Sequence, residues 1–279
     1  MKYRRLFANK VLLFSGSIII IFIFIAIFAP LLSPYDPYQI NLYARLLPPC
    51  KEHLCGTDNI GRDVLSRIIY GARISLLVGV IATFISMAIG LFVGILSGYF
   101  GGYIDRIVLC IIDIMLAFPG LLLAIGIAVA IGPGMITLFI ALAIVGWAGF
   151  ARIIRGVVIN IKSQAYIEAS NAIGSSHLRI IFNHIIPNCL PTVIVIATLR
   201  IGSFILGEAA LSFLGLGVQP PVPTWGGMVS AGVTLLQTAP WISIFPGVAI
   251  GIVVIGFNLF GDTLRDILDP RLKDEVYKR

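Results

Sequence analysis

The chain has 279 residues, 58% hydrophobic and 12% charged, with 20 Lys and Arg against 13 Asp and Glu. A soluble domain carries about a quarter charged residues, so this composition excludes one, and it excludes a disordered chain too. The basic excess reads as charge held on the inner side of a membrane, not as a nucleic-acid surface.

Four windows carry no charge: Val11–Leu32, Ile74–Gly98, Ile114–Ala151 and Ala209–Gly261. About 20 apolar residues cross a bilayer core as a helix, so the longer windows hold more than one span. The pattern predicts an all-α polytopic membrane protein with six transmembrane helices at 11–32, 75–98, 107–131, 134–150, 193–214 and 241–261. Lys2, Arg4, Arg5 and Lys10 precede the first run as in a signal peptide. That run exceeds the usual signal core of about 7–15 residues, and it ends "FAPLLSP" without an A-x-A site, so it reads as a retained span. The organisation that follows is a cytoplasmic N-terminus with the first span (1–32), an outer loop (33–74), a five-span core (75–262) enclosing a cytoplasmic loop (151–192), and a cytoplasmic tail (263–279).

An N-in, C-in orientation puts 14 Lys and Arg in inner segments and five outside (Arg45, Lys51, Arg62, Arg67 and Arg73), with Arg200 inside a span. That bias follows the positive-inside rule. In the first outer loop, "GRDVLSRIIYGARISL" places Val64, Leu65, Ile68, Ile69 and Ala72 in a helical pattern with Arg62, Arg67 and Arg73 elsewhere. This predicts an amphipathic helix on the membrane surface. Upstream, "CKEHLC" holds Cys50, His53 and Cys55, three potential ligands in six residues. A local disulfide or free thiols fits them better than a metal site.

Gly90, Gly94 and Gly98 form a small-residue face on the second span, and Gly247 and Gly251 repeat the spacing on the sixth. Such faces let helices approach closely, here within the chain more readily than between subunits. Pro119 in "AFPG" predicts a kink in the third span, and "IGPG" (131–134) a tight turn to the fourth. Three ionisable residues lie inside spans: Asp113, Arg200 and Glu208. A lone charge there faces protein or water. Asp113 and Arg200 fall at similar depth and are expected to pair or to share a cavity, as a tether or as the lining of a path; Glu208 lies toward the outer side, near any such path. The last outer loop, "GLGVQPPVPTWGGMVSAGVTLLQTAP", is uncharged and suits a membrane interface with Trp225 as an anchor.

The polar interruption is "YIEASNAIGSSHLRIIFNHIIPN", residues 166–188. Tyr166, Ala169 and Ile173 share one helical face, Gly174 breaks the helix, and Ser175 or Ser176 caps a second one carrying Leu178, Ile181, Phe182, Ile185 and Ile186. Pro187 and Pro191 are expected to end it before the fifth span. From pattern alone, an interfacial anchor and a knob for a soluble partner are equally served. His177 and His184 suit a helix surface, and Cys110 and Cys189 suit packing.

This stretch is similar to the EAA motif, E-A-A-x3-G-x9-I-x-L-P, of permease subunits in ATP-binding-cassette importers. Glu168, Ala169, Gly174 and Pro187 fall at the motif's positions, while Ser170, His184 and Ile186 replace Ala, Ile and Leu. "GTDNIGRDVLSRIIYGARISL", "DIMLAFPGLLLAI", "EAALSFLGLGVQPPVPTWGGMV" and "DTLRDILDPRL" resemble the C-type permeases of dipeptide, oligopeptide and nickel importers. The resemblance implies a type I importer (MetI-like) permease fold with a cytoplasmic coupling-helix loop. It implies a bacterial or archaeal inner-membrane subunit that is not itself an enzyme. Its partners would be a B-type permease, one or two cytoplasmic ATP-binding subunits, and an extracellular or periplasmic solute-binding protein. Glu168, Ala169, Ser170, Gly174, His184, Ile186 and Pro187 would then couple the chain to the ATPase. No G-x-x-x-x-G-K-[ST] loop occurs, so the chain does not supply that ATP site itself; the resemblance implies that it holds no cofactor and that ATP and Mg belong to the partner ATPase. The cargo would be di- or oligopeptides, with nickel or a nickel chelate as the alternative. A secondary transporter or channel using Asp113, Arg200 and Glu208 is the reading from another class. With no G-x-S-x-G or H-E-x-x-H, an intramembrane enzyme is the remotest reading.

Overall fold

A computed structural model describes residues 9–268 of the chain. These form helices and loops; the only strand-like feature among the described residues is an isolated bridge between Thr57 and Asp63. Helix α1 spans Lys10–Ile27, with the Asn9 side chain accepting from the amides of Val11 and Leu12. A single turn, α2 (Ala29–Leu32), leads into the long first loop.

Helix α3 runs without a break from Val64 to Phe100, 37 residues. At 1.5 Å per residue that is about 55 Å, well beyond the hydrocarbon core. Its first turns were expected to form a separate surface helix. Instead Val64, Ser66, Arg67 and Ala72 are buried, and Arg67 Nη1 donates to the Pro37 carbonyl at 3.0 Å. The folded outer loop covers this end of α3, so Arg67 points into protein. Asp63 caps the helix, accepting from the Ser66 amide and hydroxyl, each at 2.7 Å.

The third span is broken, not merely kinked. Helix α4 (Gly102–Ala117) and helix α5 (Gly120–Ile131) meet at 89°. Pro119 has no amide hydrogen, and its ring disfavours helix at the preceding residue; Phe118 accordingly sits at φ −85°, ψ 139°. After Gly132–Gly134 comes α6 (Met135–Lys162). Helix α7 (Ala165–Ala172) follows, then α8 (His177–Phe213), α9 (Trp225–Val233) and α10 (Trp241–Leu268). Five of these helices are long and apolar enough to cross a membrane, and the bent pair makes six. The tail beyond Leu268 and the basic residues Lys2, Arg4 and Arg5 lie outside the described residues.

The pairing of α3 with α6 is the most extensive in the molecule, and glycine is its cause. A Cβ at Gly90 would lie 2.3 Å from Phe150 Cβ; at Gly94, 2.8 Å from the Ala151 carbonyl; at Gly98, 2.9 Å from the Arg155 carbonyl. The first glycine face therefore packs within the chain. The second does not: nothing lies within 4 Å of a Cβ at Gly247 or Gly251. Trp225 also departs from expectation. It is fully buried and its Nε1 donates to the Ile68 carbonyl at 3.0 Å, because α9 tucks under the start of α3 and does not lie on lipid.

Candidate functional site: the loop between the fourth and fifth spans

The polar stretch forms two helices joined at a left-handed residue. At Gly174 φ is +78°, and a Cβ there would meet nothing within 4 Å, so backbone conformation and not space demands glycine. The Ser175 amide donates to the Ser170 carbonyl at 3.1 Å, and the Gly174 amide to the Asn171 carbonyl at 3.0 Å. This paired pattern is the Schellman cap, which satisfies the last carbonyls of α7. Ser176 then caps α8, its hydroxyl accepting from the Arg179 amide.

The second helix does not stop at the prolines. Residues Ile181–Ile185 form a π turn, with the Ile186 amide donating to the Ile181 carbonyl, and the helix continues to Phe213. A proline in a regular helix presses its ring on the carbonyl four residues back. The wider turn just before Pro187 eases that clash. The loop's second helix and the fifth span are therefore one rod.

The faces divide differently from the expected apolar stripes. Ile167, Ile180, Ile181 and Ile185 are buried together with Ile95, Tyr99, Ile154 and Val158 from the ends of α3 and α6. Ser170 is buried as well, while Glu168 and Ala169 are exposed. Tyr166, Ile173, Leu178 and Phe182 face outward, Ile173 at 82% exposure and Leu178 at 67%. Pro187 is exposed, and His184 and Ile186 are half-buried. His184 stacks edge-on to Tyr166 at 6.0 Å across the elbow, and Asn188 Nδ2 donates to the His184 carbonyl at 2.7 Å along α8.

Polar contacts absent from the sequence reading tie this unit to the spans. His177 Nδ1 lies 3.0 Å from Tyr99 Oη, and Lys162 Nζ donates to the Tyr99 carbonyl at 2.6 Å. Arg155 grips Asp105 through both carboxylate oxygens, at 2.5 and 2.6 Å, and Ser97 Oγ donates to the same carboxylate. The sequence held one clue: carboxylates 105 and 113 lie in the helix that opens one span, and guanidiniums 152 and 155 lie in the second half of the helix of the next.

The expected Asp113–Arg200 pair does not form. Asp113 bonds Arg152, one step nearer in the fold, on an exposed face. Arg200 instead lies against Gly149 of α6. Glu208 is fully buried between α3 and α8, accepting from Ser75 Oγ at 2.9 Å and Ser212 Oγ at 2.7 Å. It is a tether between two helices and lines no described pocket.

Cys50 and Cys55 are free thiols, and His53 Nδ1 is turned to Asp63 Oδ1 at 2.8 Å. Burial pushes the Cys55 thiol up from its ordinary range, and the Asp63 carboxylate adds to the shift. Among the described residues no three ligating side chains gather to hold a metal. Cys189 is buried under the elbow, whereas Cys110 is exposed, contrary to a packing role.

Residues 90–274 match the family described as binding-protein-dependent transport system inner membrane component, and residues 2–49 match the N-terminal TM domain of oligopeptide transport permease C. Among relatives, the dipeptide transport system permease protein DppC of Alkalihalophilus pseudofirmus is 47% identical over 271 residues, 97% of this chain and 89% of that one. The glutathione transport system permease protein GsiD of Salmonella typhimurium is 45% identical over 272 residues, 97% of this chain and 90% of that one. A chain of the inward-facing MetNI methionine ABC transporter superposes with a TM-score of 0.61 at 21% identity, covering 73% of this chain and 97% of that one. That last likeness concerns the fold alone.

Proposed function

The chain belongs to the binding-protein-dependent transport system inner membrane components, as a C-type permease of ABC importers, and from this premise we propose that it forms half of an ATP-driven path importing short peptides. The other half would come from a related B-type permease, with a solute-binding protein delivering cargo outside. ATP and Mg would be held by cytoplasmic ATPases. Both termini would face the cytoplasm, as the inner excess of Lys and Arg supports.

One observation carries the reading: an exposed knob with a buried keel. Tyr166, Glu168, Ile173, Leu178 and Phe182 are presented outward, while Ile167, Ile180 and Ile185 lock the same two helices onto α3 and α6. An exposed apolar patch rimmed by charge suits a protein partner. Because α8 continues into the fifth span as one helix, a push on the knob would move the span as a lever. Alternating access coupled to a partner ATPase needs such a transmission.

Peptide cargo is favoured over nickel by the dipeptide and glutathione names of the relatives. The test is uptake by the complete complex in proteoliposomes. ATP-dependent accumulation of a dipeptide, lost when the ATPase is omitted, is the expected result. Movement of solute by this chain alone, without ATP, would favour a secondary transporter and overturn the reading.

A further inference from the structure

Between α6, α8 and α10 lies a pocket of about 550 Å³. Its charged lining residues are Arg200 and Arg265, accompanied by the hydroxyls of Thr192 and Ser203 and by apolar walls that include Ile153 and Leu199. Among the described residues neither guanidinium has a carboxylate within 4 Å, nor does either donate to a protein acceptor. Room for Arg200 is built in: a Cβ at Gly149 would lie 2.6 Å from its Nη2. An unpaired cation within a span is unfavourable, and such residues mark sites where a partner arrives from elsewhere.

We propose that this pocket is a carboxylate subsite, in which Arg200 and Arg265 hold the C-terminal carboxylate of a peptide on its way inward. The planar fork of a guanidinium matches a carboxylate with two parallel hydrogen bonds. The volume is that of a small-molecule site, with a few polar groups on mostly apolar walls. From Thr192 to Ser203 the pocket follows about 16 Å of the α8 axis. An extended peptide of about five residues has that reach. Thr192 and Ser203 hydroxyls face the peptide's amides, and the apolar walls accept side chains of varied shape.

This inference rests on the peptide-import reading, and the experiment separates their failures. The complete complex, with its binding protein, is reconstituted in proteoliposomes. Uptake of an alanine–phenylalanine dipeptide is compared with that of its C-terminal amide, both at concentrations that saturate delivery. The free acid is expected to enter about tenfold faster, the scale of one charge-assisted bidentate contact. Arg200→Gln and Arg265→Gln should bring the ratio close to one, and Arg200→Lys should retain part of the preference. An unchanged ratio in both glutamine variants overturns the subsite while leaving peptide import standing. No uptake of either peptide by the wild type overturns both.

A second measurement needs no variant. In nanodiscs without the binding protein, the free acid should protect Arg200 and Arg265 from phenylglyoxal, read by mass spectrometry, and the amide should not. Equal protection by both peptides, or protection by an anionic phospholipid alone, overturns the assignment to cargo.

Discussion

Tyr99 Oη and His177 Nδ1 lie 3.0 Å apart, joining the end of α3 to the first turn of α8 across 78 positions of sequence. Tyr99 is 5% exposed, so this hydroxyl has little access to water. Tyr99→Phe should lower stability by about 1 kcal/mol, the net worth of one hydrogen bond. A thermal melt of the purified complex checks this. An unchanged melting temperature would show that the contact contributes nothing.

Gly174 offers a cleaner separation of coupling from folding, since no neighbour would touch a side chain there. Gly174→Ala should cost about 1–2 kcal/mol through its left-handed backbone alone. Gly174→Pro, which fixes φ near −65° where the chain needs +78°, should rebuild the elbow. The complex should still assemble but hydrolyse ATP without moving cargo. Wild-type uptake per ATP would refute the role given to the elbow.

The two arginines of α6 make opposite predictions. Asp105→Asn should cost about 1.5–3 kcal/mol, because Arg155 holds that carboxylate with two bonds and the side chains are only 18% and 24% exposed. Asp113→Asn should cost less than about 1 kcal/mol, its side chain and that of Arg152 being 66% and 48% exposed. Chemical denaturation of the two variants ranks them. The reverse order would mean that Asp113 is covered in the assembled protein.

Glycine substitutions distinguish the two small-residue faces. Gly90→Ala should force α3 from α6 and cost about 1–3 kcal/mol as an overpacked contact. Gly247→Ala should leave stability of the isolated chain unchanged, since its added methyl meets open space. Thermal unfolding in detergent reads both.

Much of this is legible in the sequence because lipid leaves a coarse signature: charge-free windows of bilayer length mark four of the spans, while the third keeps Asp113 and the fifth keeps Arg200 and Glu208 in otherwise apolar runs. The elbow was legible too, since glycine at 174 answers a conformational need that other residues meet poorly. The π turn was not. Pro187 and Pro191 are ordinary helix stops, and nothing local says that one wide turn lets the rod continue. Periodicity alone does not say which face of α7 is buried, because Tyr166, Ala169 and Ile173 form as good a stripe as the buried Ile167 and Ser170. A surface made for another protein has the same pattern as a core. Asp113 and Arg200 are level in depth yet do not pair, because depth within a span fixes height and not azimuth; Arg152 reaches Asp113 from the adjacent span.

The bulge at Ile181–Ile185 and Pro187 form a matched set. A π turn holds one residue more than an α-helix needs, so excising Asn183 would tighten the rod to regular pitch without turning its two ends out of phase. The pyrrolidine would then strike the carbonyl above it. Shortening should therefore be harmful alone and tolerated alongside Pro187→Ala, a suppressor relationship in which two lesions are milder than one.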